Sequence, residues 1–205
     1  MFTGLIREMA EVVSYADNRL RLRAKYRPKI GDSIAVNGVC LTVVELLPDG
    51  FVVELADETR KVIAMENLKG KVHIEPAMKM GDRFEGHIVQ GHVDTIGTIT
   101  RIVRRTNGTD FFIAVAPKYL AYIIPKGSIT IDGVSLTVND VNDEGFRLTI
   151  IPHTMQNTLF GTYRTGSRVN VETDLFARYV ARIISHQKAA QKSGWEDIEH
   201  MQALY

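Results

Sequence analysis

Two short stretches place the same chemistry at matched positions. Ser33–Val43 reads SIAVNGVCLTV and Ser128–Val138 reads SITIDGVSLTV. Each holds a small XH group two residues before a threonine hydroxyl: Cys40 with Thr42, and Ser135 with Thr137. On a β-strand these alternate with the apolar residues. Cys40 and Thr42 take one face, and Val39, Leu41 and Val43 the other; Ser135 and Thr137 likewise oppose Val134, Leu136 and Val138. A thiol or hydroxyl next to a second hydroxyl can donate hydrogen bonds to a polar ligand or act as a nucleophile. Gly38 and Gly133 precede the pairs and would let a ligand approach the backbone closely. Solvated hydroxyls explain one such pattern equally well. Its appearance twice, in register, points to a site.

Histidines are the next candidates. His87 and His92 lie in GHIVQGH. Their odd separation puts them on opposite faces of a strand, so they are not expected to chelate one metal. No HExxH motif is present. His92 follows Gly91 at the position equivalent to Leu5 in the first half, a polar residue gained by one copy only. That makes it a candidate acid or base near pH 7. Lys126, ahead of Gly127-Ser128, could hold a developing anion, although a solvated turn lysine accounts for it as well. Glu75 and Glu172 end apolar strands and fit a structural role as readily as a catalytic one. Gly81–Gly86 followed by His87 lacks the lysine and hydroxyl of a Walker loop, and no Rossmann fingerprint occurs.

The elements that must position these residues come from a duplication. Seven of the eleven positions in the two stretches are identical, at an offset of 95. Glu58-Thr59 matches His153-Thr154 at the same offset, and Val72–Glu75 (VHIE) matches Val169–Glu172 (VNVE) at 97. The FTGLI start is echoed at Gln90–Val93 (QGHV). A period this long is a whole domain, with a boundary near Met80–His87 and halves at 1–86 and 87–174. Without a proline- or serine-rich linker, the halves should pack closely.

Ile34–Val43 and Ile129–Val138 read as alternating strands rich in valine, isoleucine and threonine. Turn signals fall at Pro48-Asp49-Gly50, Thr106-Asn107-Gly108 and Asp143-Glu144-Gly145. Each half is expected to be a small barrel or sandwich. Short helical segments are expected over Glu58–Leu68 and Thr154–Tyr163. Asp174 suits an N-cap for a helix over Leu175–Lys192, stopped at Gly194. Its Leu175, Phe176, Tyr179, Val180, Ile183 and Ile184 form one apolar stripe. That stripe serves either its own barrel or neighbouring subunits around a symmetry axis.

Composition narrows the function. The 205 residues carry 25 lysines and arginines against 24 aspartates and glutamates, a net charge of +1. That balance disfavours nucleic-acid binding, as does the lack of a basic, aromatic-studded strand face. The single cysteine excludes an intrachain disulfide and a cysteine-based zinc site, and fits a reducing compartment. The longest apolar runs, such as Phe111–Ala116 and Tyr119–Ile124, have six residues, too few for a bilayer. MFTGLIREMA lacks the marks of a signal peptide. A soluble cytoplasmic protein with two similar pockets for a small polar ligand is expected.

At MFTGLI, NGVCLTV, GHIVQGHVD and IDGVSLTV the chain resembles the riboflavin synthase family of the alpha-chain type, over Met1 to about Ser185. The resemblance implies an all-β fold: two tandem six-stranded antiparallel β-barrels plus a C-terminal α-helix, with residues 175–205 as oligomerisation helix and tail. It implies a homotrimer, no metal or redox cofactor, and possible association with lumazine synthase. The activity implied is a transferase reaction that converts two 6,7-dimethyl-8-ribityllumazine molecules into riboflavin and 5-amino-6-ribitylaminouracil. Each barrel would bind one lumazine, and the active site would form between the N-terminal barrel of one subunit and the C-terminal barrel of another.

The same resemblance puts substrate contacts in the first half at Gly4, Leu5, Ile6, Cys40, Leu41, Thr42, Glu54, Leu55, Ala56, Asp57, Glu58 and Thr59. In the second half they fall at Gly91, His92, Val93, Lys126, Ser135, Leu136, Thr137, Ile150, Ile151, Pro152, His153, Thr154 and Met155. Its catalytic candidates are His92 and Ser135, followed by Cys40, Lys126 and Asp174. Two positions depart from the family: Glu54 stands where an aspartate can occur, and His153 replaces a glutamate. The alternative is a non-catalytic carrier, like the lumazine- and flavin-binding antenna proteins of luminous bacteria. Retention of the polar pair in both halves, of His92 and of the C-terminal helix favours the enzyme.

Overall fold

The computed structural model describes residues 1–187. The first barrel comprises β1 (Glu8–Ala16), β2 (Arg19–Arg23), β3 (Ser33–Val36), β4 (Val39–Leu47), β5 (Gly50–Glu54) and β6 (Lys71–Pro76). The second comprises β7 (Thr95–Arg105), β8 (Gly108–Ala114), β9 (Ser128–Ile131), β10 (Val134–Val141), β11 (Gly145–Ile150) and β12 (Arg168–Thr173). The strand order β1-β2-β5-β4-β3-β6 closes on itself, and the second barrel repeats it as β7-β8-β11-β10-β9-β12. Closure leaves no free sheet edge.

Register shifts at Val12/Ser14 and Val43/Glu45 recur at Ile99/Arg101 and Val138/Asp140. These bulges add the local twist that a small barrel needs. Alternation fills the interiors. Leu20, Leu22, Ile34, Phe51, Val53 and Ile74 are fully buried in the first; Ile99, Phe111, Ile129, Ile131, Leu148 and Val169 in the second.

The stretch read as one strand, Ile34–Val43, is a hairpin, and so is Ile129–Val138. Asn37-Gly38 and Asp132-Gly133 turn the chain with φ of 44° and 77°, and of 44° and 86°. Positive φ at both central residues is the mark of the tight hairpin turn that Asn-Gly and Asp-Gly favour. The glycines are not open to a ligand, because the two turns abut each other. A Cβ on Gly38 would stand 2.6 Å from the Gly133 nitrogen.

A polar cluster ties the barrels together around these turns. Each turn residue exchanges hydrogen bonds with its own last strand, Asn37 with His73 and Asp132 with Asn170. Each last strand then reaches across. The Asn170 Nδ2 donates to the Asn37 carbonyl at 2.9 Å. The Leu159 amide donates to His73 Nε2 at 2.7 Å, so Nδ1 carries the proton given to the Asp132 carbonyl at 2.8 Å.

The helical segments are α1 (Asp57–Val62) and α2 (Pro152–Asn157), each followed by a 3₁₀ turn, at Met65–Asn67 and Leu159–Thr162. They occupy the equivalent places that the duplication predicts. A third helix, α3, starts at 175 and is helical through 187. Asp174 Oδ1 caps it by accepting from the Phe176 amide at 2.8 Å. The expected extension to Lys192 and stop at Gly194 lie outside the described residues. Phe176, Tyr179, Val180, Ile183 and Ile184 stay 46–64% exposed, so the barrel leaves most of the apolar stripe uncovered. Among the described residues no helix is long and apolar enough to cross a membrane.

Candidate active site

Strand register sets an equivalent row of three residues on the outer surface of each barrel. In the first, β6, β3 and β4 align Glu75, Ala35 and Cys40. In the second, β12, β9 and β10 align Glu172, Thr130 and Ser135. Ile74, Ile34, Val36, Val39 and Leu41 beside the first row, and Val171, Ile129, Ile131 and Val134 beside the second, point into the cores.

Each glutamate holds a segment of chain across the row. Glu75 accepts from the Thr3 amide and hydroxyl, both at 2.7 Å, and from the Gly4 amide at 3.0 Å. Glu172 accepts from the amides of Gln90, Gly91 and His92 at 2.8, 2.9 and 3.1 Å. Burial raises the pKa of both carboxyls, that of Glu172 to about 7, against the pull of these N–H donors and of Arg178.

The segments then cross to the other barrel. The Ser135 amide donates to the Gly4 carbonyl at 2.8 Å, and the Cys40 amide to the Gly91 carbonyl at 2.9 Å. Both glycines have φ near 77° and no room for a side chain: a Cβ on Gly4 would meet the Ser135 Cβ at 2.5 Å, and one on Gly91 the Cys40 Cβ at 2.7 Å. Ile6 packs on the second core and Val93 on the first. Each segment therefore lies against the barrel built by the other half of the sequence. Gly4, Leu5 and Ile6 belong with Ser135, and Gly91, His92 and Val93 belong with Cys40.

A cavity of about 410 Å³ opens on the second row, lined by Leu5, Gly86, Ser135, Leu136, Thr137, Ile150, Ile151 and Thr154 among others. Met155, with Pro152, lines a neighbouring cavity of about 320 Å³ near Arg104 and Arg105. His153 is exposed on α2. In the first barrel Cys40 is half-buried and Thr42 and Glu54 are exposed. Leu41 and Leu55 are core residues. Ala56 precedes α1, Asp57 and Glu58 form its first turn and Thr59 follows them. Lys126 is exposed in the turn before β9, at φ 65°, and does not line the second-row cavity. Among the described residues no cluster suited to holding a metal occurs.

The histidines are arranged differently from the expectation. Residues 87–92 are not a strand; they form a loop pinned at one bridge, Val89 to Phe2. His92 is exposed at the rim of the first row. His87 is the one inserted into a row: its Nδ1 lies 2.7 Å from Ser135 Oγ and its Nε2 3.1 Å from Thr130 Oγ1. Burial lowers its pKa, with the Asp174 carboxylate pulling the other way. His87 was visible in the sequence as the first of two Gly-His pairs. Only the three-dimensional crossing distinguishes it from the second.

Comparison with known proteins agrees with this geometry. The family described as lumazine binding domain matches twice, at residues 3–77 and 90–174, one copy for each barrel. The chain is 41% identical over 198 residues to a riboflavin synthase of Actinobacillus pleuropneumoniae, covering 92% of both chains. It is 39% identical over 193 residues to a riboflavin synthase of Bacillus subtilis strain 168, covering 90% of both. The chain belongs to the riboflavin synthase family. A crystal structure of LumP complexed with riboflavin shares the fold, with a TM-score of 0.74 at 23% identity over 84% of this chain and 99% of that one.

Proposed function

We propose that this chain is the transferase its family membership suggests. It would take two molecules of 6,7-dimethyl-8-ribityllumazine and move a four-carbon unit from one to the other, giving riboflavin and 5-amino-6-ribitylaminouracil. One observation carries the reading: both barrels keep a complete row edge, with an anchored crossing segment, an XH group and a following threonine. A carrier needs one pocket. A reaction whose donor and acceptor are the same compound needs two alike, and holding both rings in place removes much of the entropic barrier to their encounter.

In this reading the crossing segments and strand edges hold the rings, while Thr42, Glu54, Thr59, Thr137 and Thr154 read the ribityl hydroxyls. Ser135, or a water it holds, adds to the ring. His92 moves a proton at the first-barrel rim, with Cys40 as its polar neighbour. Lys126 and Asp174 act from the subunit boundary, Lys126 on a developing anion. His87 joins this set, since it touches Ser135 directly. The two barrels serve as lumazine-binding domains over 1–86 and 87–174, and residues from 175 onward join subunits. The uncovered stripe on α3 supports a homotrimer, with the N-terminal barrel of one subunit facing the C-terminal barrel of the next. The cytoplasm and a complex with lumazine synthase fit the same reading.

Mixing the purified protein with the lumazine alone tests the activity. Riboflavin should accumulate catalytically, one molecule for every two lumazines consumed. Stoichiometric binding with no riboflavin would make the chain a carrier instead. Ending the chain before α3 should give monomers with little activity; a fully active monomer would refute the inter-subunit site.

A further inference from the structure

The second row contains a group that the reaction above leaves unused. Thr130 is 1% exposed and sits between Glu172 and Ser135 on the outer face. Among the described residues its hydroxyl has one hydrogen-bonding partner, His87 Nε2 at 3.1 Å. We infer that Thr130 is a positioning residue: it fixes His87 as the Nδ1–H tautomer, so that Ser135 meets its ligand as a hydroxyl donor. The inference rests on the reading of Ser135 as a ligand-facing group.

A neutral imidazole has one N–H and one lone pair. Burial keeps His87 neutral near pH 7. A buried hydroxyl proton with no acceptor costs about 1–3 kcal/mol. Thr130 avoids that cost only by donating to Nε2, because no other acceptor is bonded to it. The lone pair is then taken, and Nδ1–H donates to Ser135 Oγ at 2.7 Å. The serine proton is left over and can point into the cavity of about 410 Å³ toward a ring heteroatom or a water beside it, so the water that Ser135 holds, and not Ser135 itself, is the group that adds to the ring. The opposite polarity has Ser135 donating to Nδ1 as an activated nucleophile. It would put the ring proton on Nε2 and leave the Thr130 proton without an acceptor.

The first row is an internal control. Ala35 holds the equivalent position and packs with Phe2 and Val89, so no hydroxyl there can set a tautomer. The chain of donors Thr130 to His87 to Ser135 exists in one barrel only.

Long-range proton–nitrogen NMR on the full-length, nitrogen-15-labelled protein at neutral pH reads the tautomer directly. The His87 signals are assigned by their loss in His87→Gln. A protonated Nδ1 with a pyridine-type Nε2 is expected in the wild type, whereas a protonated Nε2 overturns the inference. The wild-type spectrum decides this even if Thr130→Val fails to fold. Thr130→Val should move His87 toward the other tautomer and lower kcat about tenfold, the effect of roughly one hydrogen bond, with KM little changed. Thr130→Ser should restore both. A Thr130→Val protein with an unchanged tautomer would also overturn the proposal. The spectrum is independent of turnover. A protein that makes no riboflavin yet shows Nδ1–H would sink the enzymatic reading and leave the tautomer assignment standing.

Discussion

The two barrels share a frame and differ at the side chain the frame leaves free. Glu75–Ala35–Cys40 and Glu172–Thr130–Ser135 occupy the same register, and each glutamate pins a segment that crosses to the other barrel. In the first row the middle residue is apolar and closes against Phe2 and Val89, with Cys40 beside them. In the second it is a hydroxyl bonded to an imidazole that in turn contacts the XH group. Duplication preserved what backbone hydrogen bonds require, namely the carboxylates, the glycines and the bulges. It left the chemistry of each row to diverge. Under the proposed function, the two rows can thereby treat one compound differently.

The largest expected effect tests that divergence. His87→Ala removes both hydrogen bonds that join Thr130 to Ser135 and should lower kcat by about a hundredfold, roughly tenfold for each, while Cys40→Ala should cost about tenfold or less. The assay is initial-rate riboflavin formation. Equal losses would mean that the rows work alike.

A second contrast sits where the barrels meet. Burial lowers the His73 pKa to about 4 and raises that of Asp132 to about 7. The unfolded His73 binds a proton that the folded one refuses, so its stability is complete above about pH 6.5 and is lost as pH falls toward 4. Asp132 has the opposite sign. The folded carboxyl holds its proton up to about 7, so stability is gained as pH falls below 7. Two opposed slopes over one window leave a flat acid limb. Asp132→Asn removes one of them, and asparagine fits because Asn37 occupies the equivalent turn with the same φ of 44°. Between pH 6.5 and 4 this variant should lose about 3 kcal/mol more than wild type, at 1.36 kcal/mol for each pKa unit. Urea unfolding across that window reads it, and parallel curves would exclude the balance.

The anchors come next in size. Glu172→Gln leaves at least one backbone amide facing an N–H instead of an acceptor. It also deprives half-buried Arg178 of one of its two carboxylates, the other being Asp94. A loss of about 2–3 kcal/mol is expected, against about 1–2 kcal/mol for Glu75→Gln. Equal destabilisation would show that Arg178 contributes nothing to the second anchor.

Much of this architecture was legible in the residues. The offset of 95 located both barrels, alternation placed Cys40 and Ser135 on outward faces, and Asp174 marked the start of α3. What was hidden depends on chain crossing. Asn37-Gly38 is a strong hairpin signal, yet a continuous apolar alternation on both sides made Ile34–Val43 read as one strand. In the sequence Gly38 and Gly133 read as openings for a ligand; in the fold they admit each other. Matching Leu5 with His92 correctly paired the two segments but could not show that each serves the opposite barrel. It therefore drew attention to His92, which is exposed, rather than to His87, which the pairing of Phe2 with Val89 brings beside Ser135.

The smallest effect separates chemistry from drift. Ala35→Thr gives the first row the middle residue of the second. The new hydroxyl would lie against Phe2 and Val89, where no imidazole waits to accept its proton, since His87 is committed to the other row. Burying an unpartnered hydroxyl is disfavoured by about 1 kcal/mol or somewhat more, which should appear as a lower urea midpoint at unchanged slope. Turnover should change by less than about twofold, because 0.4 kcal/mol or so is all that a displaced Cys40 edge would add to the barrier. A variant as stable as wild type would mean that the first row accepts a polar centre as readily as an apolar one. The contrast between Ala35 and Thr130 would then be a residue of neutral divergence, and the donor chain in the second barrel would lose its internal control.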